Sequence, residues 1–337
     1  MKAVVLTKPA PVEERPLEMV ELPTPAPGDD EILIKVKVCG ACHTDLDEVE
    51  GRLPIRKFPV VPGHQVVGVV VDKGRNVSKF KTGDRVGVTW LYWACGDCGF
   101  CKSGAENLCE NAKWTGKDAN GGYAEFMVIS ENFAYPLPAN FSDVQAAPLL
   151  CAGVIGYRTL RLAQIADGQI IGLYGFGACA HIVIQVIKHK YPNCPVFVFT
   201  HTEEHAALAR SLGAAWTGRS GDEPPAKLNR AMDFTPVGKC VADALLALDR
   251  GGRLIINAIA KETPVGPLDY ARYLWLEKEV KSVANVTRAD AEEFLPLAAE
   301  IPIMPTVEEF PMAQANDVLF AIKHSKLRAA AVLTISQ

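Results

Sequence analysis

Between residues 169 and 259 the chain alternates short apolar runs with longer amphipathic ones, and no other feature narrows its possible folds as much. Strands are predicted over 169–174, 196–200, 231–235 and 253–259, and helices over 178–190, 203–212 and 237–248. Consecutive strand–helix units joined by right-handed crossovers build a doubly wound parallel sheet, so this stretch is an α/β unit. The Gly251-Gly252 pair reads as the stop of the third helix.

The first 135 residues have another style. Short strands over 31–38, 66–71, 85–88 and 123–129 are separated by Gly and Pro, which predicts a β-rich domain. Ser142-Asp143 is then a good helix start. From about residue 288 the pattern runs helix 289–300, strand 306–310, helix 313–324 and strand 329–335, a tail that need not join the parallel sheet.

With 337 residues, two domains are expected. The 35 basic and 39 acidic residues leave a formal charge of −4 without any block of five like charges, so neither nucleic acid nor a membrane surface has an electrostatic footprint. A small-molecule partner is expected instead. The N-terminal run Met1-Lys2-Ala3-Val4-Val5-Leu6-Thr7 is too brief for a signal segment, and no 18-residue apolar stretch follows, which predicts a cytoplasmic protein. In that reducing compartment the ten cysteines are to be tested first as metal ligands.

Cys95, Cys98, Cys101 and Cys109 place four thiols within fifteen residues. Spacings of two, two and seven suit a loop around a tetrahedral ion, and Gly96 and Gly99 let the backbone turn its amides toward the sulfurs. Four thiolates fill every position on one zinc ion, which gives a structural site. Four unrelated thiols or an iron–sulfur cluster are the alternatives.

A second, open site is built differently. Cys39-Gly40-Ala41-Cys42-His43-Thr44-Asp45 follows a predicted strand, Gly63-His64 precedes another, and Cys151 opens a helix. Two thiolates and one neutral imidazole balance the charge of zinc while leaving a fourth position for substrate. From spacing alone, buried free cysteines and a satisfied histidine explain the same residues.

Gly175-Phe176-Gly177-Ala178-Cys179-Ala180 follows a strand and opens a helix, the context in which glycines let a pyrophosphate approach the backbone and the helix N-terminus supplies amides. A merely tight turn is the plainer reading. The next strand ends at Thr200-His201-Thr202, where an NAD-binding unit usually presents an acid to the ribose. A hydroxyl and an imidazole there can donate to a 2′-phosphate, which favours NADP(H) over NAD(H). The plainer alternative has Thr202 capping the helix and Thr200 touching nothing.

Cys42-His43-Thr44-Asp45, Pro62-Gly63-His64, Gly83-Asp84-Arg85-Val86, the four-cysteine lobe, Gly121-Gly122-Tyr123-Ala124-Glu125, Cys151-Ala152-Gly153 and the glycine turn, in this order, resemble the zinc-dependent alcohol dehydrogenases of the medium-chain dehydrogenase/reductase superfamily. The resemblance covers almost the whole chain. It implies a discontinuous GroES-like catalytic domain (residues 1–145 and 288–337) and an inserted Rossmann cofactor domain (residues 146–287). It also implies two zinc ions per chain, one catalytic on Cys42, His64 and Cys151 and one structural on the four-cysteine lobe, with Cys42 rather than Cys39 as ligand. Thr44 matches the hydroxyl that takes the substrate proton, and Asp45 the carboxylate that orients His64.

Some positions depart from the family's commoner pattern. Asp47 stands in place of a relay histidine, Gln65 in place of a glutamate, and Ala330 in place of a pyrophosphate-binding arginine, a role open to Arg328; His43 is also a phosphate contact candidate. Trp90 and Trp114 are the candidate walls of the substrate pocket, which suits slim apolar alcohols and aldehydes. Packing within the lobe is the plainer reading of Tyr92, Trp93 and Trp114. The resemblance implies a dimer or tetramer, and Cys39, Cys179, Cys194 and Cys240 are left as free thiols. Two other functions compete with an alcohol dehydrogenase: a zinc-free quinone or enoyl reductase, which does not need the open trio, and a non-enzymatic NADPH-binding redox sensor.

Overall fold

The computed structural model describes residues 1–327 and 329–336. Two units are resolved by their internal contacts: Met1–Cys151 with Val286–Ala299 and Met304–Gln337, and Ala152–Asn285 with Glu300–Ile303.

The first unit is built on a seven-stranded sheet. From one edge its order is Val307–Pro311, Ala330–Thr334, Glu31–Ala41, Gln65–Lys73, Arg85–Val88 and Ala134–Pro136, with Phe126–Ser130 also paired to Glu31–Ala41. All pairings are antiparallel except the one between the two C-terminal strands. Those tail strands therefore complete the β-rich sheet rather than the parallel one. The eleven-residue strand Glu31–Ala41 outruns its predicted end at 38, because Gly40 pairs with Gln65 and Ala41 with Ala331 on its two sides. Ile32, Ile34 and Val36 along it are fully buried, removing about 2 kcal/mol worth of apolar surface from water apiece.

The second unit holds six parallel strands in the order Trp216–Gly218, Val196–Phe199, Ile171–Tyr174, Leu228–Asp233, Leu248–Ile256 and Glu279–Ser282. The order reverses after Ile171–Tyr174, whose C-terminal end is thus a topological switch point, the usual place for a ligand crevice in such sheets. Helix Ala178–Lys190 begins where expected.

Gly251-Gly252 does not end a helix. Helix Lys239–Ala247 stops at Leu248, which is already extended, and the strand Leu248–Ile256 runs through the glycine pair with Gly251 at φ 64°. Leu248 pairs with Leu228 and is buried, so the chain enters the sheet first and bends at the glycines afterwards. No helix among the described residues is long and apolar enough to cross a membrane.

Candidate active site and metal centres

The long strand Glu31–Ala41 delivers Cys42 to the start of helix His43–Val49, where it is the N-cap. Its Sγ accepts from the Thr44 amide at 3.4 Å, and the Asp45 carboxylate accepts from the Cys42 amide at 2.8 Å. Asp45, fully buried, also accepts from His64 Nδ1 at 3.1 Å. One carboxylate thus caps the helix and fixes the imidazole tautomer, leaving Nε2 to face Cys42 and Cys151.

Cys42 Sγ lies 3.6 Å from His64 Nε2 and 3.9 Å from Cys151 Sγ, and the His64–Cys151 edge is 3.5 Å. A tetrahedral zinc ion with ordinary bonds to sulfur and nitrogen sets these edges at about 3.6–3.8 Å. The donor set and the spacing both fit zinc with one position left over. The neighbouring Cys151 thiol and burial push the Cys42 thiol well above its usual range. Burial pulls His64 down, yet Asp45 and Cys42 outweigh it and lift it well above the ordinary imidazole value. A divalent cation relieves both by displacing the protons. Cys151 sits in a π-helical turn, Leu149–Gly153, rather than at the start of a regular helix. Cys39 is fully buried on its strand and outside the trio.

His64 is held by glycines from another segment. Gly121 and Gly122 donate to the carbonyls of Val61 (2.7 Å) and Gly63 (2.9 Å), and Tyr123 donates to Pro62 (3.0 Å). A Cβ on Gly121 would sit 2.0 Å from the Gly63 carbonyl oxygen, and Gly63 itself has φ 95° with Tyr123 against it. Only glycine permits so close an approach of two backbones.

The four sulfurs of Cys95, Cys98, Cys101 and Cys109 lie within 4.8 Å of one another. The backbone amides of Asp97 and Cys98 bring the Cys95 thiol down to about 6, while burial and Cys98 push Cys101 up to about 12. Glu106 ties this lobe down by accepting from the Arg288 amide at 2.9 Å and its Nε at 3.2 Å.

In the second unit the Gly175 amide donates to Phe199 at 2.8 Å, Gly175 has φ 81°, and Gly177 caps the helix that opens with Ala178. The space where a Gly177 Cβ would stand is open, so a dinucleotide phosphate can reach the first-turn amides. No acid ends the neighbouring strand. Thr202 caps helix Glu203–Ser211 through the His205 amide, and His201 is exposed. Thr200 is buried, and its hydroxyl has no partner among the described residues.

Residues 28–139 match the alcohol dehydrogenase GroES-like domain. A probable alcohol dehydrogenase, AdhA, of Mycobacterium tuberculosis is 43% identical over 99% of this chain and 97% of its own. The chain belongs to the zinc-type alcohol dehydrogenases of the medium-chain dehydrogenase/reductase superfamily. An alcohol dehydrogenase of Geobacillus stearothermophilus is 32% identical over the full length of both chains. Among solved structures, a cinnamyl alcohol dehydrogenase of Sorghum bicolor is 28% identical with a TM-score of 0.86, covering 99% of this chain and 97% of that one. The protein is accordingly an oxidoreductase acting on CH–OH donors, with a small-molecule substrate.

In this dehydrogenase the departures from the commoner family pattern have visible settings. Asp47 is held by Arg52 Nε at 2.5 Å. Gln65 is buried against Gly40 with its amide nitrogen unpartnered among the described residues. Ala330 lies on the strand beside Val307, His43 is exposed, and Arg328 lies outside the described residues. Trp90 and Trp114 are stacked at 5.0 Å, and the Trp90 ring tilts against His64 at 6.1 Å. The sequence reading missed Glu48. It is fully buried and accepts from Trp90 Nε1 at 3.0 Å, and burial with the Asp45 charge pushes it up to about 8. In the string Asp45-Leu46-Asp47-Glu48-Val49-Glu50 it reads as one more solvent-facing acid.

Proposed function

We propose that this alcohol dehydrogenase interconverts slim apolar primary or secondary alcohols with their carbonyl partners, using two zinc ions per chain and NADP(H) in preference to NAD(H). The three-edged cluster of Cys42, His64 and Cys151 carries this reading, since three ligands at tetrahedral spacing leave one position for the substrate oxygen. A zinc-free reductase has no need of it. When bound, zinc polarises that oxygen and the nicotinamide takes or gives the hydride.

The chain's own residues do the rest. Thr44, buried two residues after Cys42, accepts the substrate's hydroxyl proton while handing its own on toward water, and the reverse in the other direction. Asp45 keeps His64 oriented. Cys95, Cys98, Cys101 and Cys109 hold the second zinc and stiffen their lobe. Gly175, Gly177 and Ala178 cradle the pyrophosphate. Trp90 and Trp114 wall the pocket and exclude bulk.

The cofactor preference is supported by the missing acid after Phe199 and by exposed His201. Thr200 contributes less than its position promised, because its hydroxyl is closed off. The four other thiols are unpaired, as the cytoplasm would keep them. Glu279–Ser282 is an exposed edge strand flanked by exposed Tyr270 and Trp275, which supports a dimer or tetramer formed by pairing with a second copy. An alcohol and aldehyde panel run with both cofactors tests the proposal. NADPH should exceed NADH in kcat/KM by at least about tenfold, the worth of one charge-assisted contact; a clear NADH preference refutes the reading of His201.

A further inference from the structure

We propose that Glu48 is a positioning residue for substrate selection: its buried carboxyl holds the Trp90 indole at the angle that sets the width of the apolar wall beside His64. Glu48 lies one helical turn beyond Thr44, on the same face of helix His43–Val49, and is fully buried. Its Oε1 accepts the only hydrogen that the indole can donate, at 3.0 Å. The ring so held stacks on Trp114 at 29° and tilts 52° to the His64 imidazole.

Glu48 Oε2 is buried without a partner among the described residues. A carboxyl in that state weakens the fold, and an apolar side chain of similar size would pack there more stably. Such local violations concentrate at functional sites. Without the acceptor, the N–H of half-buried Trp90 loses its partner, and the indole gains by rotating toward another partner or water. Rotation widens the wall, so the acid exchanges stability for a fixed shape. A fixed apolar wall discriminates by substrate shape rather than by charge.

The inference rests on the reading of Trp90 as a pocket wall. Its test is the ratio of kcat/KM for a linear primary alcohol to that for its β-branched isomer of equal carbon number, with zinc content measured in every variant. Glu48→Gln, which keeps a carbonyl acceptor in the same place, should hold the ratio within about threefold of wild type, whereas Glu48→Leu should lower it about tenfold with zinc retained. In a Trp90→Phe background the same Glu48→Leu change should alter the ratio by less than about twofold, because the donor is already gone. Should Glu48→Leu fold poorly, unbranched Glu48→Met carries the same expectation. An unchanged ratio in Glu48→Leu or Glu48→Met, or an equal shift in the Trp90→Phe background, overturns the proposal. If Trp90→Phe itself leaves the ratio at wild type, the pocket-wall reading fails and this inference with it; a shift in Trp90→Phe alone fails only the role of Glu48.

Discussion

His64 reaches the metal position because two stretches of backbone approach more closely than any side chain allows. Gly121→Ala places a methyl group 2.0 Å from the Gly63 carbonyl oxygen, which cannot give way as a side chain does. The expected cost is about 3 kcal/mol, read as a lowered denaturation midpoint, with zinc at the open site lost before the lobe's zinc. Thr44→Ala should lower kcat by about a hundredfold at nearly unchanged KM, the range of one proton-transfer group, and Thr44→Ser should restore most of it. Steady-state kinetics of the two variants separates that role from packing. The clustering of Cys95, Cys98, Cys101 and Cys109 was legible because a group that could hold a metal ion comes from short, regular spacing. Glu48 was not, since burial of one acid in a short acidic helix depends on the neighbours that tertiary structure supplies. The closed hydroxyl of Thr200 was invisible for the same reason.

At the scale of elements, the buried acid Glu106 ties the four-cysteine lobe to the start of helix Arg288–Glu300. Hydrogen bonds from Arg288 outweigh the burial that would raise Glu106, so its carboxyl sits below its ordinary 4.5. A depressed carboxylate contributes stability above its unfolded value, and that contribution fades as pH falls through the folded one. Glu106→Gln should therefore cost about 2 kcal/mol at neutral pH. The gap to wild type should narrow steadily below pH 4.5. Denaturant melts across that range check the sign: a gap that widens in acid contradicts the assignment. Element boundaries show where local patterns stop informing. Gly251-Gly252 after a helical run reads as a C-cap, yet the buried pairing of Leu228 with Leu248 had already drawn the chain into the sheet. Strand Glu31–Ala41 ran long because it had partners on both sides, which its own residues do not announce.

At the scale of the molecule, alternation of strand and helix was enough to place four of the six parallel strands, because each unit's crossover is forced to one hand, while the short edge strands Trp216–Gly218 and Glu279–Ser282 were missed. The pairing of Ala330–Thr334 with Glu31–Ala41 joins positions some 300 residues apart and has no local signature. Of the two groups that could hold a metal ion, one offers four sulfurs and the other three ligands, a proposed division between a closed and an open site. Loss of the closed site should loosen its lobe, whereas loss of the open site should abolish turnover while the fold persists. Zinc content and alcohol oxidation measured together on wild type and Cys42→Ala test this most directly. About two zinc ions in wild type and about one in Cys42→Ala, with turnover in the variant at background, is the predicted result, from the ligand count of each cluster. Two zinc ions retained in Cys42→Ala, or turnover equal to wild type, would contradict a catalytic zinc on Cys42, His64 and Cys151.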